Sequence, residues 1–314
     1  MIKLLQKKRK LLITGGSGLL ALNWACCMRQ EWDIVLGIHH HSVSLNDVDT
    51  CHLNLDSPDV LEKQVLQVAP DLIVHTAGLT NVDKCEANPT LAYQGNVQIA
   101  KNLAFVAHKL DKSLVHISTD HLFSGYSSFY GEGDEVQPLN EYARTKYLAE
   151  MAIKELCPDA LILRTNFYGW GHSYRKSFTD WIIGQLRSGK RINVFNDVFY
   201  TPILISNFVK VAHQLINRSA VGIYNLAGTE RLSKYEFAVN VAQVFNLPEH
   251  LLVESSINDA KNLVIRPRDM SLSNSKLISE LGINFPDTFT SLNELLSQEK
   301  RGLRHEIFHS INLS

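Results

Sequence analysis

The sequence has no stretch approaching the ~20 uninterrupted apolar residues of a membrane-spanning helix, so a soluble chain is expected. It also lacks an excess of charge of either sign. Its 31 Lys and Arg against 32 Asp and Glu leave a formal net charge of −1, which provides no global field to attract nucleic acid or an acidic membrane. Cysteine is scarce and odd in number. The five residues, Cys26, Cys27, Cys51, Cys85 and Cys157, lack metal-ligand spacing, and reduced thiols in a cytoplasmic enzyme explain them better than a disulfide framework. Low-complexity linkers and internal repeats are missing as well. What remains is an ordinary globular composition, 45% hydrophobic and 20% charged, over 314 residues. That length passes the size at which one core usually divides, so a large domain and a smaller one are expected.

The basic run Lys7-Lys8-Arg9-Lys10 precedes an apolar stretch, as in a signal peptide, but glycines at 15, 16 and 18 interrupt that stretch. The run is therefore expected to be a solvated N-terminal arm. Beyond it two periodicities alternate. Strands are expected at Lys10–Thr14, Asp33–Ile38, Thr50–Leu55, Asp71–Thr76, Ser113–Ser118 and Ala160–Arg164. Helices are expected at Leu19–Gln30, Val60–Val68, Leu91–Leu110 and Glu141–Leu156. Such alternation requires parallel strands joined by right-handed crossovers, a doubly wound α/β sheet of Rossmann type. After Arg164 the rhythm breaks into short apolar runs such as Arg191–Phe195 and Gly222–Leu226. The expected division is a dinucleotide-binding domain over 1–165 with return segments near 195–230. A smaller, interleaved substrate domain would take 166–194 and 231–314. The polar tail from Glu299 to Ser314 is expected to be partly disordered.

The segment Thr14-Gly15-Gly16-Ser17-Gly18-Leu19-Leu20-Ala21 passes from strand through a tight turn into a helix. Glycine suits the unusual dihedrals and the close approach of a pyrophosphate, while the following helix N-terminus presents free N–H groups and partial positive charge. A dinucleotide site lined by Gly15, Ser17, Gly18, Leu19 and Leu20 follows. NAD enzymes usually carry an acid at the end of the second strand for the ribose. Here Ile38-His39-His40-His41 stands in that place, which leans towards NADP(H) over NAD(H), although no Arg or Lys is present to grip a 2′-phosphate. His39 is the cofactor candidate there. Adjacent side chains diverge, so the three histidines are expected in a surface loop, not around a metal. Asp56, just past the third strand, is placed to accept from the adenine amine.

Tyr142-Ala143-Arg144-Thr145-Lys146 sets a phenol and an ammonium four residues apart on one helix face, with Asn140 as N-cap. A free phenol titrates near pH ~10, and a fixed ammonium beside it would lower that value. Lys146 could also hold the nicotinamide ribose. Thr119 stands at the carboxyl edge of the fifth strand, where a hydroxyl faces the ligand crevice and could orient a substrate carbonyl beside Tyr142.

On these residues the chain resembles the extended short-chain dehydrogenase/reductases, and within them the dTDP-4-dehydrorhamnose reductase family. The matching segments are Thr14–Ala21, His75–Glu86, Ser118–Gly125, Pro138–Lys146, Leu163–Asn166, Gly222–Gly228, Arg266-Pro267 and Lys276-Leu277, in order over almost the whole chain. The resemblance implies NAD(P)H-dependent reduction of a 4-keto group on a nucleotide-linked deoxysugar. Tyr142 would be the general acid, Lys146 the group that binds ribose and tunes Tyr142, and Thr119 the third member of the set. Ala77, Gly78 and Ser118 would line the cofactor. Thr80, Val82, His121, Asn166, Phe167 and Arg266 would meet the substrate, with Arg266 on its diphosphate. Asn96 falls where the superfamily often has an active-site asparagine. His121 and Phe167 replace the family's tyrosine and tryptophan near the sugar, which leaves the exact sugar open. A homodimer is compatible with the resemblance.

Two alternatives stand beside this reading. A nucleotide-sugar epimerase or dehydratase would share the fold, but His121 after Asp120 removes the second carboxylate that dehydratases use. A non-catalytic dinucleotide-binding regulatory subunit, similar to the methionine adenosyltransferase β subunit, would not need Thr119, Tyr142 and Lys146. Minor signals are bland: Asn217-Arg218-Ser219 and Asn312-Leu313-Ser314 are read as chance glycosylation patterns. Trp170, Trp181, Tyr168 and Tyr174 are read as packing residues of the second domain.

Overall fold

Strands buried on both faces read as continuous apolar runs, and the central strands here have that character. In the computed structural model, which describes residues 8–260 and 263–312, they are Lys10–Thr14 (β1), Asp33–Ile38 (β2), Asp49–His52 (β3), Leu72–His75 (β4), Ser113–Ile117 (β5), Leu161–Arg164 (β6) and Gly222–Asn225 (β7). They form one parallel seven-stranded sheet in the order β7-β6-β5-β4-β1-β2-β3. The winding direction reverses between β1 and β4. In an open α/β sheet that reversal leaves a crevice at the carboxyl ends of the two strands.

The period-two alternation of β1 feeds two cores. Leu11 and Ile13 pack with Trp24 of helix α1 (Leu19–Met28) on one face of the sheet. Leu12 packs on the other face, with Leu61 and Val65 of α2 (Pro58–Val68), Leu103 of α3 (Ile99–Lys109) and Ile153 of α4 (Glu141–Leu156). The first core continues into the C-terminal half through α5 (Phe178–Arg187), α6 (Ile205–Asn217), α7 (Lys234–Val244) and α8 (Thr288–Lys300). Short strand pairs stitch this half together, among them Ile192–Phe195 with Leu252–Ser255 and Phe167–Tyr168 with Ile203–Leu204.

The structure corrects four sequence expectations. The long helix expected over Leu91–Leu110 is broken: a π-helical turn, Tyr93–Gln98, separates a short helix, Pro89–Ala92, from α3. Within that turn Asn96 bonds the backbone of Leu79, in the loop after β4. The third strand ends at His52, not Leu55. The polar tail is ordered through Asn312. Helix Leu303–His309 buries Ile307, Ile311–Asn312 pairs with Ser42–Val43, and Arg29 grips the Glu306 carboxylate at 2.9 Å. The basic arm is exposed at Lys8 and Arg9 but not free. Lys8 donates to the Arg29 carbonyl at 2.9 Å, the Arg9 guanidinium lies 4.6 Å from the Trp32 ring, and Lys10 already belongs to β1. Lys7, Leu313 and Ser314 lie outside the described residues.

Candidate active site

A cleft of about 500 Å³ opens at the switch between β1 and β4. Its first wall is the β1–α1 turn. Gly15 has φ +66°, and a Cβ there would stand 2.8 Å from the Ala77 backbone. A Cβ on Gly16 would stand 2.7 Å from Leu36 Cβ. The turn is therefore pressed between β2 and the loop after β4, with Gly16 N–H donating to Gly37 O at 2.9 Å. Helix α1 has neither a side-chain cap nor an acid in its first turn. Its leading N–H groups and partial positive charge thus face the cleft, an arrangement that fits a dinucleotide diphosphate.

The opposite wall comes from β5 and α4. The expected N-cap is formed: Asn140 Oδ1 accepts from Ala143 N at 2.9 Å. One turn of α4 then presents Tyr142 and Lys146, 8% and 6% exposed, to the cleft. Thr119, just past the end of β5, lines the same cleft as both α4 residues, so the three residues expected to act together are brought together. Burial pushes the phenol up to about 12, with the nearby Thr119 hydroxyl pulling the other way. Burial likewise pushes the Lys146 ammonium down to about 8, and nearby Glu150 partly offsets this. The expected lowering of Tyr142 by Lys146 is absent from the protein alone. The partners of Lys146 are the Ile117 carbonyl at 2.7 Å and His116 Nε2 at 3.4 Å, not the phenol.

Most of the remaining expected residues line the same cleft. Gly15, Ser17, Gly18, Leu19 and Leu20 come from the first turn, Ala77, Gly78, Thr80 and Val82 from the segment after β4, and Ser118 and His121 from the end of β5. Asn166 and Phe167 follow β6. His121 sets its ring edge-on to Tyr142, 5.5 Å between centroids, and burial holds its imidazole neutral, down at about 3. Asp120, not singled out as a site residue, is the acid of the cleft. Its carboxylate accepts from Asn166 Nδ2 at 2.6 Å, and burial raises it to about 6.

His39, Asp56 and Arg266 stand outside the cleft wall. His39 is exposed, its ring centroid 3.8 Å from that of His40, and Asp56 is exposed past β3. Both follow strands near one edge of the sheet, His39 after β2 and Asp56 after β3. Arg266 is paired with Asp83 at 2.8 Å. Asn96 is not in the cleft wall either. Its Oδ1 accepts from Leu79 N at 2.7 Å and its Nδ2 donates to Thr145 Oγ1 at 3.0 Å, which ties the loop after β4 to α4.

Sequence reasoning missed a second group. Tyr174, expected to pack the C-terminal half, is exposed and lines the cleft together with Arg175 and Lys176. Arg175 reaches across to bond Thr80. These residues lie in an aperiodic loop, so no spacing signal marked them. Trp170 and Tyr168 are buried and Trp181 partly buried, all as packing residues. Burial lowers the ammonium of Lys234, the first residue of α7, to about 8, and the charge of Asp120 partly offsets this.

Comparison with known proteins places this geometry. The model of the RmlD substrate binding domain family matches residues 9–301. The chain belongs to that family. This RmlD-family chain is 30% identical to a probable low-salt glycan biosynthesis reductase, Agl14, of Haloferax volcanii, over 87% of this chain and 93% of that protein. It is also 30% identical to the methionine adenosyltransferase 2 subunit beta of Mus musculus, over 96% of this chain and 92% of that one. Among solved structures, the dTDP-4-dehydrorhamnose reductase of Bacillus anthracis in complex with NADP superposes with a TM-score of 0.83 at 24% identity, covering 93% of this chain and all of that one. The RmlD-family chain is thus an NAD(P)-dependent oxidoreductase of the extended short-chain dehydrogenase/reductase type. No helix among its described residues is long and apolar enough to cross a membrane.

Proposed function

We propose that this enzyme reduces the 4-keto group of a nucleotide-linked deoxysugar, using NADP(H) in preference to NAD(H). The observation that carries the reading is that Thr119, Tyr142 and a buried Lys146 share one cleft, which runs from the glycine turn to Asn166 and Phe167. The glycine turn and the uncapped N-terminus of α1 would hold the dinucleotide diphosphate, with Ala77, Gly78 and Ser118 beside its nicotinamide half. The bound dinucleotide supplies the hydride. Thr119 orients the ketone, and Tyr142, whose phenol burial holds in the protonated form, donates a proton to the forming alkoxide. Lys146 supplies a positive charge behind it. Thr80, Val82, His121, Asn166 and Phe167 form the sugar side. Residues 1–165 with the β7 return would carry the cofactor and the rest the substrate.

Support for the sugar comes from the family match and from the NADP-bound reductase of the same fold. The preference for NADP(H) rests on the absence of an acid at the end of β2, where His39 stands. The lone carboxylate Asp120, followed by His121, argues against a dehydratase. The test is steady-state oxidation of NADPH and of NADH by the purified protein with dTDP-4-dehydrorhamnose. The expected result is sugar-dependent oxidation with a larger kcat/KM for NADPH. Equal or greater efficiency with NADH would overturn the cofactor assignment, and no oxidation of either would overturn the substrate assignment.

A further inference from the structure

A row of polar side chains crosses the sheet beneath the catalytic lysine, where packing alone calls for apolar ones. Thr14, His75 and His116 occupy matched positions on β1, β4 and β5. Two residues earlier on each strand, Leu12, Ile73 and Leu114 pack against α3 and α4, so the row lies on that same apolar face. Both imidazoles are 1% exposed. The Thr14 hydroxyl meets His75 Nδ1 at 2.7 Å, the two rings lie 5.2 Å apart, and His116 Nε2 meets Lys146 Nζ at 3.4 Å. His75 Nε2 and His116 Nδ1 have no hydrogen-bond partner among the described residues. An unpaired buried nitrogen destabilises a fold, and a leucine in either place would avoid that loss.

We infer that His116, backed by His75 and Thr14, is a positioning residue that sets the protonation of Lys146. The inference rests on the proposed role of Lys146 behind Tyr142. Burial, with the charge of Lys146 adding to it, keeps His116 neutral. An imidazole with the proton on Nδ1 offers its Nε2 lone pair to the ammonium. Lys146 Nζ then has two acceptors, Ile117 O and His116 Nε2. Among the described residues, Glu150 on its own helix acts on the ammonium and is itself engaged by Arg164 of β6, while His75 on β4 feels the lysine's charge.

The sign of the effect follows directly. Burial already lowers Lys146 to about 8, and each hydrogen bond accepted from the ammonium favours the charged form. Removing the imidazole acceptor should move the lysine titration down by about one pH unit. Reduction consumes a proton, so the alkaline fall in kcat should move down with it.

The test uses the full chain carrying carbon-13 lysine, titrated by NMR without cofactor, with Lys146→Met identifying the signal. His116→Met removes the acceptor, while His116→Gln restores one through its carboxamide oxygen. The expected result is a lysine midpoint lowered by about one unit in His116→Met and within a few tenths of wild type in His116→Gln. The alkaline limb of kcat should follow, with KM for the sugar unchanged. If both variants titrate like wild type and differ only in melting temperature, His116 is a packing residue and the inference fails. If His116→Met does not fold, a midpoint in His116→Gln lowered by a full unit overturns it equally. The NMR arm needs no turnover, so an inactive wild type would sink the proposed reaction without deciding the lysine coupling.

Discussion

Replacing Tyr142 by Phe should lower kcat by ~10²–10⁴-fold while leaving dinucleotide affinity within about twofold of wild type. The ring is 8% exposed and packs with Val82, Cys85 and Ala92, contacts that phenylalanine keeps. What is lost is the phenolic hydroxyl, the proposed proton donor. Thr119 still donates to Asp120 Oδ1 at 3.3 Å, so no buried polar group is stranded and stability should change by less than about 1 kcal/mol. Steady-state kinetics and a fluorescence titration with NADPH check the two halves of this prediction. Turnover within tenfold of wild type would remove Tyr142 as the general acid, whatever its position in the cleft.

Glu150→Ala should destabilise the protein by about 3–5 kcal/mol, the loss typical of leaving one member of a buried ion pair uncompensated. Glu150 and Arg164 have side chains only 1% and 2% exposed, and the guanidinium engages the carboxylate through Nε at 3.0 Å and Nη2 at 2.8 Å. The pair joins α4 to β6, so it anchors the helix that carries Tyr142 and Lys146. After truncation the guanidinium keeps only a 3.5 Å bond to the Glu132 carbonyl and the Phe123 ring 5.5 Å away, neither of which neutralises it. Replacing both residues by methionine should cost less than Glu150→Ala alone, because no buried charge is then stranded. Urea denaturation monitored by circular dichroism measures both. A loss below about 1 kcal/mol in Glu150→Ala would show that the pair contributes little to the fold.

The parallel sheet was legible because its strands are short apolar runs between helical segments. The bounds of β1, β2 and α4 coincide with those expected from periodicity and capping. The glycine turn was legible for the same reason, since its spacing sits between a strand and a helix. Tertiary context hid the rest. The π-turn at Tyr93–Gln98 contains Asn96, which bonds the loop at Leu79 outside its own helix, and helical periodicity gives no hint of that. The tail is ordered by partners elsewhere in the chain, Arg29 and Val43, not by its own polar composition. His75 and His116 are single polar residues inside apolar strands. Their alignment depends on the pairing of β4 with β5, which follows from topology and not from either strand alone. Arg175 and Lys234 reach the cleft region from segments with no sequence motif of their own.

The most direct test of the central claim is the fate of a deuterium label carried at C4 of the reduced nicotinamide. Wild-type protein is incubated with the labelled NADPH and dTDP-4-dehydrorhamnose, and the sugar product is examined by NMR. A 4-keto reductase places the deuterium on C4 of the sugar in stoichiometric yield, and the Tyr142→Phe variant transfers almost none. Deuterium that stays on the cofactor, while the sugar is unchanged or only epimerised, would contradict the account.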